Sequence, residues 1–197
     1  MTVKTEAEVI FEFFCKGHGL DWEKIPEKDS PTPDYVINCG GQVIYFELKQ
    51  IDSDEKFDKS GKNVSSRTVG SHVRKRIGES KKQVQTGAKV GAPSVLLIYN
   101  NLDSLQLFGT EQHDFIAAMY GEMTVRIGIK DNKIADSFHG RNSLLREVKN
   151  TSFSAVGHLR RTIDGASVRL YENIYALNPL NIELLPTCLE FKRVELV

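Results

Sequence analysis

The chain has 197 residues, of which 40% are hydrophobic and 26% are charged, a composition typical of one folded globular domain and not of a disordered chain. It carries 26 basic and 26 acidic side chains, and this zero net charge argues against a general polyanion binder. No run of about 18 apolar residues occurs, and the first residues carry acids where a signal peptide would be basic. We therefore expect no membrane span, no secretion and a cytoplasmic location.

The first predicted element is a helix over residues 6–16. Thr5 and Glu8 have the spacing of a capping box, in which each side chain accepts a hydrogen bond from the other residue's backbone N–H. Gly17 or Gly19 is expected to end the helix, since glycine readily adopts the backbone conformation that follows helix C-termini.

One face of this helix is predicted to be buried. At about 100° per residue, Glu6 falls on the apolar stripe, whereas Glu8 and Glu12 fall roughly opposite and are expected to face water. A glutamate on a buried stripe is costly unless it is paired or bound to a metal, although Glu6 could instead simply stabilise the helix dipole. The stripe consists of Val9, Ile10, Phe13 and Gly17.

A β-hairpin is predicted next. Residues 34–39 and 42–49 are rich in β-formers and flank Gly40 and Gly41, the pattern of a two-residue turn. With these glycines as the turn, the numbers of paired residues sum to 81. Asp34 is then expected to lie directly opposite Glu47.

The second hairpin strand has one polar and one apolar face. Side chains alternate along a strand, so Tyr45, Glu47 and Lys49 share one face. The opposite, apolar face consists of Ile44, Phe46 and Leu48.

The polar face is suited to metal chemistry. Two carboxylates about 5 Å apart across a strand pair repel each other, and a divalent cation removes that penalty. Mg²⁺ prefers such hard oxygen ligands, and Lys49 is placed to hold an attacking water. Asp34, Glu47 and Lys49 therefore indicate metal-assisted phosphodiester hydrolysis, whereas a Glu-x-Lys strand without the opposing acid would indicate only exposed strand residues.

A strongly basic segment follows the hairpin. Between residues 56 and 90, ten basic side chains stand against two acidic ones. This segment predicts a loop over residues 52–70 and a helix over residues 71–85 with Val73, Ile77 and Val84 on its apolar face. Its charge favours contact with phosphates, and the alternative is a solvated helix face and loop.

The remaining elements predict a mixed sheet. Residues 94–99 are almost all apolar, which is typical of a central buried strand. A helix is predicted over residues 111–119, and a turn at Asp164 and Gly165. Further strands are predicted over residues 124–129, 153–159, 168–171 and 189–196. We expect one α/β domain over residues 1–197.

Pro33-Asp34, the hairpin and Glu47-Leu48-Lys49 resemble the PD-(D/E)XK nuclease superfamily, with a helix before and a helix after the hairpin as in that superfamily. The resemblance covers residues 5–99, about half of the chain. It implies a restriction-endonuclease-like core in residues 1–100, a mixed central β-sheet flanked by helices. Residues 101–197 would be an α/β elaboration that completes the sheet.

The resemblance also implies roles for individual residues. Asp34 and Glu47 would bind Mg²⁺, or Mn²⁺ in its place, together with the Leu48 carbonyl. Lys49 would position or activate water. Glu6 would orient water or support a second metal, with Glu8 in reserve.

In many members of the superfamily a glutamine or lysine of the second helix reaches the site. Gln83 is the best match here and Gln85 is a second choice. The residues expected to contact the nucleic-acid backbone are Arg67, Arg74, Arg76 and Lys82.

The expected function is therefore an Mg²⁺-dependent nuclease, with DNA as the expected substrate and a homodimer as a possible assembly. Two alternatives remain open at this point. One is a non-catalytic module with the same fold that binds nucleic acid or protein, and the other is a metal-dependent phosphodiesterase that acts on a nucleotide.

Overall fold

The computed structural model describes residues 4–27, 29–53 and 67–195. The helices are α1 (Glu6–Gly17), α2 (Ser71–Glu79), α3 (Lys81–Lys89) and α4 (Gln112–Tyr120), with a short 3-10 helix at Ile182–Leu184. The strands are β1 (Asp21–Lys24), β2 (Tyr35–Cys39), β3 (Gln42–Ile51), β4 (Ser94–Asn100), β5 (Met123–Ile127), β6 (Ile134–His139), β7 (Ala155–Thr162), β8 (Gly165–Glu172) and β9 (Leu189–Lys192).

Seven of these strands form one mixed sheet in the order β1-β2-β3-β4-β7-β8-β9. Pairing is antiparallel between β1 and β2, β2 and β3, and β7 and β8, and it is parallel between β3 and β4, β4 and β7, and β8 and β9. One core layer lies under α1, and a second lies under α2, α3 and α4. The predicted α/β class, with a mixed sheet flanked by helices, is confirmed.

Strand β4 lies at the centre of this sheet. Every residue from Ser94 to Asn100 is buried, because β3 and β7 flank the strand and helices cover both faces. The continuous apolar run in the sequence is the signature of such a strand. Among the described residues, no helix is both long and apolar enough to cross a bilayer.

The hairpin register is confirmed. Cys39 pairs with Gln42 and Tyr35 with Phe46, so the numbers of paired residues do sum to 81. Gly40 and Gly41 adopt φ values of 58° and 91°, the positive values that a tight hairpin turn requires and that favour glycine.

The orientation predicted for α1 is wrong. Val9 is 50% exposed and Phe13 is 59% exposed, whereas Glu12 is buried. The apolar residues of the buried face are Ala7, Ile10, Phe11, Phe14 and Cys15. Ile10 belongs to both the predicted and the observed face, and Phe11 and Phe14, about one helical turn apart, fill the layer over β3, β7 and β8.

The helix predicted over residues 71–85 is instead two helices that meet at Ser80. The Ser80 hydroxyl donates to the carbonyl of Arg76 at 2.8 Å, and its backbone, at φ −91° and ψ 0°, departs from regular helix geometry. Serine therefore ends α2 while the chain continues directly into α3.

The second half adds three strands to the main sheet and a separate ribbon. The ribbon pairs β5 with β6, and β6 was not predicted because its sequence has a weak alternating pattern. The strand predicted over residues 153–159 is shifted to 155–162, and the last strand is shorter than predicted. The loop predicted over residues 52–70 lies mostly outside the described residues.

Helix α3 packs closely against the sheet at Gly87. A β-carbon added at Gly87 would lie 2.8 Å from Cδ2 of Tyr45 and would also meet the Ser94 hydroxyl. Gly78 of α2 is the contrasting case, since a β-carbon there meets nothing within 4 Å.

We predict opposite effects for alanine at these two helical glycines. Gly87→Ala should lower the free energy of unfolding by about 1–3 kcal/mol, because α3 must move off β3 and β4. Gly78→Ala should raise it by up to about 1 kcal/mol, because alanine has the higher helix propensity. Urea unfolding of both variants measures the difference, and equal effects would contradict the packing described for α3.

Candidate functional site

The first residue of the candidate site is Asp34, at the start of β2. Asp34 directly precedes β2, and its N–H donates to the Phe46 carbonyl at 3.0 Å. Its side-chain Oδ2 accepts a hydrogen bond from the Leu48 N–H at 2.7 Å. Because the N–H and C=O of one strand residue point to the same edge, the Leu48 carbonyl also faces the Asp34 edge.

Glu47 lies on the opposite side of β3 from α1, under α3. It is 2% exposed, and its Oε1 forms an ion pair with Lys49 Nζ at 2.7 Å. Burial, together with the nearby negative charge of Asp34, raises the pKa of Glu47 to about 7. The lysine only partly offsets these effects, so ionisation of Glu47 is unfavourable near neutral pH when no further cation is present.

The pKa of Asp34 is also raised, mainly by burial. The Leu48 N–H and the Lys49 ammonium act in the opposite direction, whereas the charge of Glu8 raises this pKa further. Two neighbouring acids with raised pKa values are typical of functional sites, although structural ion pairs also produce such shifts.

Two buried oxygen atoms at the site have no hydrogen-bond partner among the described residues, Glu47 Oε2 and Gln83 Oε1. Gln83 precedes Gly87 by one helical turn, and Glu47 follows Tyr45 by two strand residues on the same face. Since Gly87 packs on Tyr45 and α3 runs opposite to β3, Gln83 lies level with Glu47. Both unpaired atoms are acceptors, which a cation or a donor from a substrate could satisfy.

The acids of α1 are arranged differently from the prediction. Glu6 pairs with Arg161 at 2.6 Å. Glu8 is the α1 acid whose charge acts on Asp34, and its Oε1 pairs with Lys24 Nζ at 2.5 Å.

Glu12, expected to face water, is instead buried. It accepts a hydrogen bond from the Tyr35 hydroxyl at 2.9 Å and pairs with Lys4 at 2.7 Å. These two partners make the burial of this carboxylate tolerable. The structure gives Glu12 a role in holding α1 on the sheet.

These residues fit a divalent cation. Asp34, Glu47 and the Leu48 carbonyl offer oxygen atoms, and Glu47 Oε2 is buried without a geometrically defined hydrogen-bond donor among the described residues. Mg²⁺ typically binds one or two carboxylates and completes its shell with water and substrate phosphate. A donor set made only of oxygen atoms is therefore suited to Mg²⁺ or Mn²⁺.

Two of the predicted nucleic-acid contacts are arginines that bind within the protein. Arg67 pairs with both carboxylate oxygens of Asp114, through Nη1 to Oδ1 and through Nη2 to Oδ2 at 3.0 Å. Arg74 donates to the backbone carbonyls of Val69, Ala117 and Asn142. Arg67 thus joins the segment before α2 to α4, and Arg74 joins α2 to α4.

The other two predicted contacts differ in exposure. Arg76 pairs with Glu79 at 2.7 Å and is mostly covered. Lys82 is exposed, and its ammonium has no ion pair within the described parts of the chain. The basic residues at 56, 59 and 62 lie outside the described residues.

A second group of potential metal ligands lies at the start of α4, formed by Glu111, His113 and Asp114. Asp114 already accepts four hydrogen bonds, two from Arg67 and one each from the N–H groups of Gly70 and Glu111. A cation there would have to displace the arginine. The group is better explained as an anchor for Arg67.

Sequence reasoning missed Lys24 as part of the site. Lys24 belongs to none of the predicted elements, and β1 places it opposite Tyr35, next to Asp34. Only the pairing of β1 with β2 reveals this proximity.

No protein-family model, curated protein or solved structure matches this chain.

We predict that Glu47 makes the metal-free protein less stable as pH rises. The pKa of Glu47 is about 7 in the fold, above the ordinary glutamate value of 4.5, so the folded state keeps the proton to a higher pH than the unfolded state. This cost is absent at low pH and develops as pH rises from about 4.5 to about 7, reaching up to about 3 kcal/mol.

Glu47→Gln should therefore be more stable than wild type at about pH 8, and the difference should shrink towards about pH 5. Urea unfolding in EDTA at both pH values measures it, with the exposed Glu183→Gln as control. A constant difference between Glu47→Gln and wild type at all pH values would contradict the raised pKa.

Proposed function

We propose that this protein is a metal-dependent nuclease of the PD-(D/E)XK type that hydrolyses phosphodiester bonds in nucleic acid, with DNA as the expected substrate. One observation carries the proposal. The carboxyl groups of Asp34 and Glu47 lie together beside Lys49, Glu47 is buried, and its Oε2 has no partner in the described chain. An arrangement this unfavourable without a cation is expected where a cation binds.

Asp34, Glu47 and the Leu48 carbonyl would hold Mg²⁺. When bound, the ion would supply positive charge to the scissile phosphate and lower the pKa of water. Lys49 keeps its ammonium at the site through its ion pair with Glu47 and would orient the attacking water. Gln83 would position water or a phosphate oxygen through its amide group.

Glu8 replaces Glu6 in the proposed set. Its charge acts on Asp34, whereas Glu6 is engaged by Arg161. The role proposed for Glu8 is to accept a hydrogen bond from a water molecule at the site.

The order of elements supports a restriction-endonuclease-like core. Helix α1, the antiparallel strands β1, β2 and β3, the helices α2 and α3, and the parallel strand β4 follow one another in the sequence. Asp34 and Glu47 lie at the hairpin, and Gln83 lies on α3, one of the helices that follow it, as the resemblance implies.

Nucleic acid is favoured over a mononucleotide by lysines at the surface of α2 and α3. Lys75 on α2 and Lys82 and Lys89 on α3 are exposed. Positive charge spread over several turns suits a polymer of phosphates, and contacts of this kind give affinity without sequence preference.

We predict cleavage of nucleic acid that depends on Mg²⁺ or Mn²⁺. Supercoiled plasmid, linear duplex, single-stranded DNA and RNA should be incubated with each metal, with EDTA as control. Lys49→Ala should lower the rate by at least about 100-fold, because the water-positioning group is lost. Lys130→Ala, on the exposed turn after β5, should leave the rate unchanged.

The outcome separates the proposed function from its alternative. Product size distinguishes endonuclease from exonuclease action. Binding of nucleic acid without cleavage on any substrate, and without metal binding, would favour a non-catalytic module with this fold.

A second prediction distinguishes the two glutamates of α1. Glu8→Gln should lower the cleavage rate by about 10-fold or more, because the site loses an acceptor beside Asp34. Glu6→Gln, on the same helix turn, should lower it by less than about twofold, because the charge of Glu6 is engaged by Arg161 at the surface. A larger loss of cleavage rate in Glu6→Gln than in Glu8→Gln would assign the water-binding role to Glu6 instead.

A further inference from the structure

Lys24 places a positive charge beside two acids of the proposed site. It is the last residue of β1, and its Nζ lies 2.5 Å from Glu8 Oε1. The backbone continues at once to Ile25, whose N–H donates to the Asp34 carbonyl at 2.8 Å. Lys24 is also paired with Tyr35, the residue after Asp34, so it lies beside Asp34 in the sheet, and its positive charge acts to lower the pKa of that acid.

The position of this ammonium is well defined. Its Nζ lies 6.0 Å from the centre of the Tyr35 ring, within the range of a cation–π contact. Tyr35 is fully buried and hydrogen-bonded to Glu12, so the ring is a fixed support. Glu8 is fixed too, because its Oε2 accepts a hydrogen bond from the N–H of Thr5 at 2.7 Å.

The charges at the site divide into two groups. Glu47 pairs with Lys49 and keeps an unpaired oxygen, which leaves a place for a cation on that side of Asp34. Glu8 pairs with Lys24 on the other side, where the ammonium already supplies a positive charge. A pair of carboxylates around one cation is also the composition of a divalent metal site.

We infer that Lys24 takes the place of a second divalent cation between Glu8 and Asp34, and so limits this site to one metal ion. The inference rests on the proposed metal site at Asp34 and Glu47. It gives Lys24 a positioning role, since its charge holds Glu8 near Asp34 without metal.

Removal of the Lys24 charge tests the inference. Lys24→Met keeps the length of the side chain and leaves Glu8 without its cation. Mn²⁺ is the probe, with stoichiometry measured by titration calorimetry and by EPR of free Mn²⁺. We expect one Mn²⁺ per chain in the wild type and two in Lys24→Met, and the double variant Glu8→Gln with Lys24→Met should return to one.

Lys4→Met is the matched control. Lys4 also pairs with a glutamate of α1, Glu12, but that glutamate accepts a hydrogen bond from Tyr35 and has no part in the proposed metal site. Loss of this lysine should leave the stoichiometry at one. Lys24→Gln provides a second test if the methionine variant does not fold, and circular dichroism establishes the fold of each protein.

The outcomes separate this inference from the proposed function. One Mn²⁺ in both the wild type and the Lys24 variants would overturn the role of Lys24 and leave the proposed metal site standing. Two Mn²⁺ in the wild type would also overturn it. No Mn²⁺ in the wild type would overturn the proposed metal site and the inference with it.

Discussion

Glu47 and Asp34 are held together by the hairpin, and the proposed chemistry depends on this enforced contact. A one-residue slip of β3 would turn Glu47 and Lys49 into the apolar layer under α1, and would turn Phe46 and Leu48 out of it. Burial of apolar side chains therefore maintains the register that places two acids side by side. The repulsion between the two carboxylates then favours the binding of a cation, which would relieve it.

Elements on both sides of the sheet contribute to the site. Helix α1 brings Glu8 from one side and α3 brings Gln83 from the other, while β1 supplies Lys24 at the edge. The close approach of α3 at Gly87 is what brings Gln83 level with Glu47. The packing of Gly87 on Tyr45 thus determines which polar side chain of α3 lies beside Glu47.

Local signals in the sequence predicted several features correctly. The capping box at Thr5, the two-residue turn at Gly40 and the buried strand β4 each depend on neighbouring residues alone. The face of α1 was predicted wrongly, because Phe13 and Phe14 are adjacent and either could lead an apolar stripe. The burial of Glu12 depends on Tyr35, a distant residue that the helix pattern does not contain.

The sequence by itself determined the hairpin, its register and therefore the pairing of Asp34 with the strand that carries Glu47 and Lys49, because turn geometry and side-chain alternation are local. Only the tertiary structure decided which charges remain available. It engaged Arg67 and Arg74 in internal contacts, paired Glu6 with Arg161 and brought Lys24 to Glu8. The partner of a charged side chain depends on which strands and helices become neighbours, and distance along the chain does not reveal this.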